Sequence, residues 1–164
     1  MKKNIDYLLT TAEKQTLKEK KITRAMLRDY APDEVAASID APPARTREVN
    51  ALAEFQSIPS LGINFATELI RQGYFSLEQL NGKSAVELFD AFEKHSGCWA
   101  DPCVEDSYRL LVDYVKNRDL SKRWWHFTAE RKAYRAKHGF PADRPKRAWY
   151  ETGVYPKMAA HHKS

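Results

Sequence analysis

The groups best placed to do chemistry in this chain are backbone amides as much as side chains. In Ile58-Pro59-Ser60-Leu61-Gly62-Ile63-Asn64-Phe65-Ala66-Thr67-Glu68-Leu69, two helical stretches are separated by a few turn-forming residues. Glycine supplies the positive φ that so tight a turn demands. Leu61 is placed to anchor between the helices, and the small Ala66 lets the second helix approach closely. The N–H groups around Ser60, Gly62, Ile63 and Asn64 then converge at a helix N-terminus, where partial positive charge and free donors favour a phosphate oxygen. Binding of that kind reads the backbone of a nucleic acid and not its bases, so it is sequence-independent and salt-sensitive.

A second group is cationic. Between Lys116 and Arg147, eleven basic residues oppose three acidic ones, a net +8 in a chain of +5, which leaves the remainder at −3. Such asymmetry points to a polyanionic partner, with nucleic acid the commonest. Lys122, Arg123, Arg131, Lys132 and Arg135 fall in one expected helix, from about Ser121 to His138, together with Trp124-Trp125-His126-Phe127. Adjacent tryptophans on a helix point about 100° apart and cannot share one flat stacking surface. Trp124 and Phe127 are therefore expected to pack against the helix that carries Val104, Tyr108, Leu111 and Val115. Trp125 is left partly exposed, with core packing and base stacking both open to it.

Other constellations carry less. Cys98 and Cys103 with His95 and His126 contain the atoms of a zinc site, but the cysteine spacing is wide and no second regular pair follows. Cys103 falls in the first turn of a helix, where the local field favours a thiolate. The plainer reading is a pair of half-buried thiols in a reducing compartment. There is no G-x-S-x-G elbow, no H-E-x-x-H and no glycine-rich phosphate loop before Lys83-Ser84. His161-His162 fall in an expected loose tail, and the carboxylates form no compact cluster for a two-metal nuclease. The expectation is a protein with no enzyme site, no cofactor and no metal.

The elements that must position these groups are helical. Six glycines in 164 residues, and no stretch alternating apolar with polar residues, leave no case for a sheet. Thr10-Thr11-Ala12-Glu13, Ser76-Leu77-Glu78-Gln79 and Ser84-Ala85-Val86-Glu87 have capping-box spacing. Thr23–Tyr30 and Pro32-Asp33-Glu34 start short helices. Asp101-Pro102-Cys103 is a strong helix start, with aspartate as cap and proline in the first turn. Arg47–Ser57 and Asn64–Gln72 are expected helices, the second ended by Gly73. Ala41-Pro42-Pro43-Ala44 breaks the chain, and prolines 141, 145 and 156 predict an extended tail.

The expected organisation is a helical N-terminal arm (1–43), a compact helical domain around the hairpin (44–138) and a loosely structured basic tail (139–164). No apolar run approaches the roughly 20 residues that span a bilayer. The basic start lacks an apolar stretch behind it, so the expectation is a cytoplasmic protein that no membrane holds.

The Ile58–Leu69 pattern resembles the helix-hairpin-helix motif, with Pro59, Leu61, Gly62 and Ala66 where that motif has them. Ser60 occupies the first glycine position, and Asn64 stands where a lysine often sits. Taken with Ala100-Asp101-Pro102-Cys103-Val104, a tyrosine-bearing helix and Trp124-Trp125, the order over about residues 50–137 resembles the bacterial pathogenicity-locus family. The resemblance implies a helix-hairpin-helix fold and a nucleic-acid link, and it supplies no reaction. The resulting expectation is sequence-independent nucleic-acid binding, DNA ahead of RNA, by Ser60, Gly62, Ile63, Asn64, Lys122, Arg123, Arg131, Lys132 and Arg135. In that expectation the hairpin sets the architecture and the helix around Arg131 carries most of the binding. The alternative is a protein-interaction module in which the hairpin is purely structural.

Overall fold

The computed structural model describes residues 3–152; His161 and His162 lie outside them. The chain is built from helices α1 (Thr11–Glu19), α2 (Arg24–Leu27), α3 (Pro32–Ser38), α4 (Pro43–Gln56), α5 (Ile63–Arg71), α6 (Ala85–Ser96), α7 (Pro102–Asn117), α8 (Thr128–His138) and α9 (Trp149–Thr152). Caps set most of the starts. Thr10 and Glu13 close a reciprocal capping box on α1. Ser84 accepts from the Glu87 amide at α6, and Asp101 accepts from the Cys103 amide with Pro102 in the first turn of α7. α4 begins earlier than its apolar pattern predicts, because Pro43 is itself a good first helical residue. The capping pattern at Ser76 yields only a single 3-10 turn, Glu78–Leu80, because the chain bends away at Asn81.

α7 is the hub. Tyr108 is fully buried, its ring 4.9 Å from Phe65, 5.6 Å from Phe92 and 6.3 Å from Phe89. Its hydroxyl accepts from Gln72 Nε2 at 3.0 Å, which satisfies the polar end of a buried ring. Val104, Leu111 and Val115 continue the buried stripe that their spacing predicts. α4 is buried on two sides: Leu52 and Phe55 join this core, while Val49 and Ala53 join a second one with Leu17, Val35 and Ile39. Its apolar residues therefore do not form one stripe, and the N-terminal helices pack on the side that the hairpin leaves free.

Two stretches differ from their sequence patterns. The single helix expected over Ser121–His138 is broken into a 3-10 turn, Trp124–Phe127, followed by α8. The tighter turn buries Phe127 in the core and leaves α8 free to run along α7. Beyond Gly139 the chain is extended, as its prolines predict, yet it is not loose as far as Thr152. The Trp99 amide donates to Arg147 O at 2.8 Å and the Trp149 amide to Trp99 O at 2.9 Å. Arg144 grips the buried Glu93 carboxylate through Nε at 2.7 Å and Nη2 at 2.9 Å. Among the described residues no helix is long and apolar enough to cross a membrane.

Candidate nucleic-acid interface

α4 and α5 form a helical hairpin whose connection is pinned by Ile58 and Leu61, 0 % and 2 % exposed, with Ala66 fully buried on α5. The turn differs from the expectation in one instructive way. Its positive φ falls on Ser60 (φ 65°), while Gly62 is extended at φ −111°. The left-handed step sits at the middle of the connection, so Gly62 needs no glycine-only conformation and acts as the N-cap of α5. A Cβ at Gly62 would meet nothing within 4 Å. With no side chain at the cap, the Gly62 and Ile63 amides have no acceptor among the described residues. Asn64 is half-buried in the first turn.

The segment after α7 is tied to this turn. The Trp124 amide donates to Ser60 Oγ at 3.1 Å, so Ser60 faces inward and Lys122–Trp125 stand beside the hairpin. Arg123 uses Nη1 on the carbonyls of Leu120 and Lys122 and has no carboxylate partner among the described residues. Lys122 pairs with Asp113 at 3.0 Å, which holds its ammonium pKa above the ordinary value. Trp125 is 51 % exposed, perpendicular to Trp124 with ring centroids 5.4 Å apart. Lys3, which sequence reasoning passed over, reaches the same place: its ammonium donates to Ile58 O at 2.8 Å and to Leu61 O. Burial, and then the nearby Arg123 guanidinium, lower its pKa to about 8. Lys3 sits 55 positions from Ile58 and carries no local signal that would have found it.

Arg131 and Arg135 are placed differently. Arg131 Nε donates to Asp106 Oδ1 at 2.6 Å, and Asp106 is 0 % exposed. Arg135 spans Glu105 through Nε (2.9 Å) and Asp90 through Nη2 (2.9 Å). Burial alone would lower the Arg135 pKa, but these two carboxylates outweigh it and the net shift is upward. Thr128 completes Asp106 at 2.8 Å, and Arg109 joins Glu105 to Glu130. α8 has no buried residue of its own, so it is held to α7 by ions rather than by apolar contact. Lys132 is exposed on α8, with no ion-pair partner among the described residues. A sequence signal for the docking existed in the adjacent Glu105-Asp106 on α7, facing arginines four apart on α8.

Both cysteine thiols are held above the ordinary thiol range in this setting. Burial and the Asp101 side chain push the Cys103 thiol up to about 11, and burial raises Cys98 as well. The helix field expected to lower Cys103 is overruled first by burial and then by the Asp101 and Asp106 carboxylates. No cluster of three metal-ligating side chains occurs among the described residues.

Comparison with known proteins adds a family. The sequence pattern of the pathogenicity-locus family (Cdd1) matches residues 48–133, just over half of the chain. The chain is also 29 % identical over 87 residues to the mitomycin resistance protein McrB of Streptomyces lavendulae, covering 53 % of this chain and 82 % of that relative. No solved structure matches.

Proposed function

We propose that this chain, which belongs to the pathogenicity-locus family, is a non-enzymatic protein that binds DNA without reading its sequence, at the end of the α4–α5 hairpin. The observation that carries this reading is the open N-terminus of α5, with two uncapped amides beside the cations of Lys122 and Arg123. Helix-end amides and adjoining cations are the donors that a phosphate oxygen takes. The hairpin serves here as a helix-hairpin-helix element, although its left-handed residue is Ser60 rather than glycine. Relative to the sequence reading, the weight shifts from Arg131 and Arg135, whose charges are matched internally, to Arg123, with Lys122 beside it on the same segment although paired with Asp113. The name of the relative describes resistance and no binding partner, so the reading rests on geometry.

The test is a titration of duplex and single-stranded DNA across a salt series. Each phosphate contact contributes about −0.9 to the slope of log affinity against log salt on duplex. Gly62→Asp is the sharpest variant. Its backbone is extended and its Cβ meets open space, so an aspartate caps α5 there. Fold stability is then unchanged or raised by a few tenths of a kcal/mol, while DNA binding drops about tenfold or more because the carboxylate puts a negative charge where the phosphate would meet the helix end. Absence of binding near ~50 mM salt sinks the proposal. It leaves a protein-interaction surface, for which exposed Leu120 (59 %) and Trp125 are the apolar contacts.

A further inference from the structure

A cleft of about 380 Å³ lies where four separated segments meet, away from the hairpin. Its size is within the range of about 300–1,000 Å³ usual for small-molecule sites. Phe89 of α6, Trp99, Pro102 at the start of α7 and Phe140 of the returning segment give it apolar walls. Arg131, Lys132 and Arg135 of α8, with Arg144, supply the cations, and Glu105 is also in the lining.

Its hydrogen bonding selects a ligand. The Glu105 carboxylate is 1 % exposed and already accepts from Arg135 and Arg109, so it asks for nothing more. Arg131 uses only Nε, on Asp106, and Arg144 uses Nε and Nη2, on Glu93. Both Nη atoms of Arg131, Nη1 of Arg144 and Nζ of Lys132 have no acceptor among the described residues, and none is shut away from solvent. Three cationic side chains with unused donors match the three terminal oxygens of a phosphate monoester better than the two of a carboxylate. Each arginine is balanced by a buried carboxylate, so Lys132 supplies the unmatched charge. The Arg144 guanidinium already stacks on Phe140, 3.6 Å from its centroid, and phosphate alone would leave Trp99 and Pro102 uncovered.

We propose that this cleft binds a small aromatic phosphate monoester of the nucleoside monophosphate class. The ring lies against Trp99 and Pro102, with the buried Phe89 beneath and the Arg144–Phe140 stack at the rim, and the phosphate meets Lys132, Arg131 and Arg144. The site is separate from the hairpin end and does not rest on the DNA-binding reading.

Calorimetric titration of the full chain with adenosine 5′-monophosphate tests it, alongside adenosine, phenyl phosphate and inorganic phosphate. The nucleotide binds saturably, while adenosine and inorganic phosphate each bind about tenfold more weakly or worse, since each lacks one half of the recognition. Phenyl phosphate falls between them. Lys132→Glu, at an exposed position with no internal partner, lowers nucleotide affinity by about tenfold or more without moving the unfolding temperature. Phe140→Ala, at the rim, lowers it too. Gly62→Asp leaves nucleotide binding intact, which separates this proposal from the fate of the hairpin. Several results overturn it: no saturable binding at about 10 mM nucleotide, inorganic phosphate or adenosine equal to the nucleotide, or Lys132→Glu without effect.

Discussion

The α4–α5 hairpin and α8 flank the same hub helix and are held by opposite means. The hairpin is fastened by apolar burial, with Ile58, Leu61 and Ala66 at 0 %, 2 % and 0 % exposure, and this leaves the Gly62 and Ile63 amides at its turn without an acceptor among the described residues. α8 buries no residue and is fastened by arginines whose charges are met by carboxylates 0–1 % exposed. A basic stretch of sequence is therefore not the same thing as a basic surface. Positive charge attracts a polyanion only to the extent that the fold has not already neutralised it. By that measure Arg123 and Lys132 count for more than Arg131 and Arg135.

The largest expected effect tests the ion-held side. Arg131→Met leaves the Asp106 carboxylate buried with Thr128 as its remaining partner, and costs about 3–5 kcal/mol in urea unfolding. Adding Asp106→Leu recovers most of that loss, because an apolar pair is an adequate replacement for a buried ion pair. A loss below ~1 kcal/mol, with DNA binding reduced instead, would make α8 a binding face and erase the contrast.

Arg123→Glu tests the other side. The variant loses the bonds to the Leu120 and Lys122 carbonyls but orphans no carboxylate, so its unfolding temperature falls only slightly, while DNA affinity at low salt drops about tenfold and the salt slope shrinks by about 1. A drop in stability with no change in affinity would place Arg123 among the structural cations.

Ser60 ties the hairpin to the 3-10 turn that precedes α8 and gives a smaller, two-signed effect. Ser60→Ala takes the acceptor from the Trp124 amide and costs about 1 kcal/mol. Ser60→Gly loses the same bond but relieves a left-handed residue worth about 1 kcal/mol, so its net effect is near zero. Equal losses in both variants, read by thermal melts, would mean that the φ of 65° carries no strain.

Lys3 sets the smallest effect, and its sign differs between stability and binding. Its folded pKa of about 8 lies below the ordinary 10.5, so above pH 8 the unfolded chain holds the extra proton. Stability thus gains from this group as pH rises through that window. DNA affinity falls over the same window, because the ammonium beside Arg123 is being neutralised. Lys3→Met removes both trends, and affinity that stays flat from pH 7 to about 9.5 in the unaltered chain would separate Lys3 from the site.

Much of the fold was legible in order along the chain. The caps at Thr10, Ser84 and Asp101, the stripe from Val104 to Val115 and the stop at Gly73 are local agreements between side chain and backbone, and each stands where its pattern put it. The hairpin residues were legible for the same reason, although the φ that closes the turn fell on Ser60. The break at Trp124 was not legible, since helical periodicity continues through it and only the burial of Phe127 forces the 3-10 turn. Nor was the docking of residues 140–148, whose prolines read as loose until Glu93 and Trp99 supply their partners.

What the sequence determined by itself was the all-helical class, the hairpin and the concentration of positive charge after α7, because these depend on spacings of a few residues. What only the tertiary structure decided was which of those charges remain available. Arg131 meets Asp106 across 25 positions, Arg135 meets Glu105 across 30 and Asp90 across 45, and Lys3 meets the hairpin across 55. No local pattern constrains pairs so far apart. They exist because α8 and the N-terminal segment settle on particular faces of α7 and α4, and burial of the carboxylates makes those pairings obligatory.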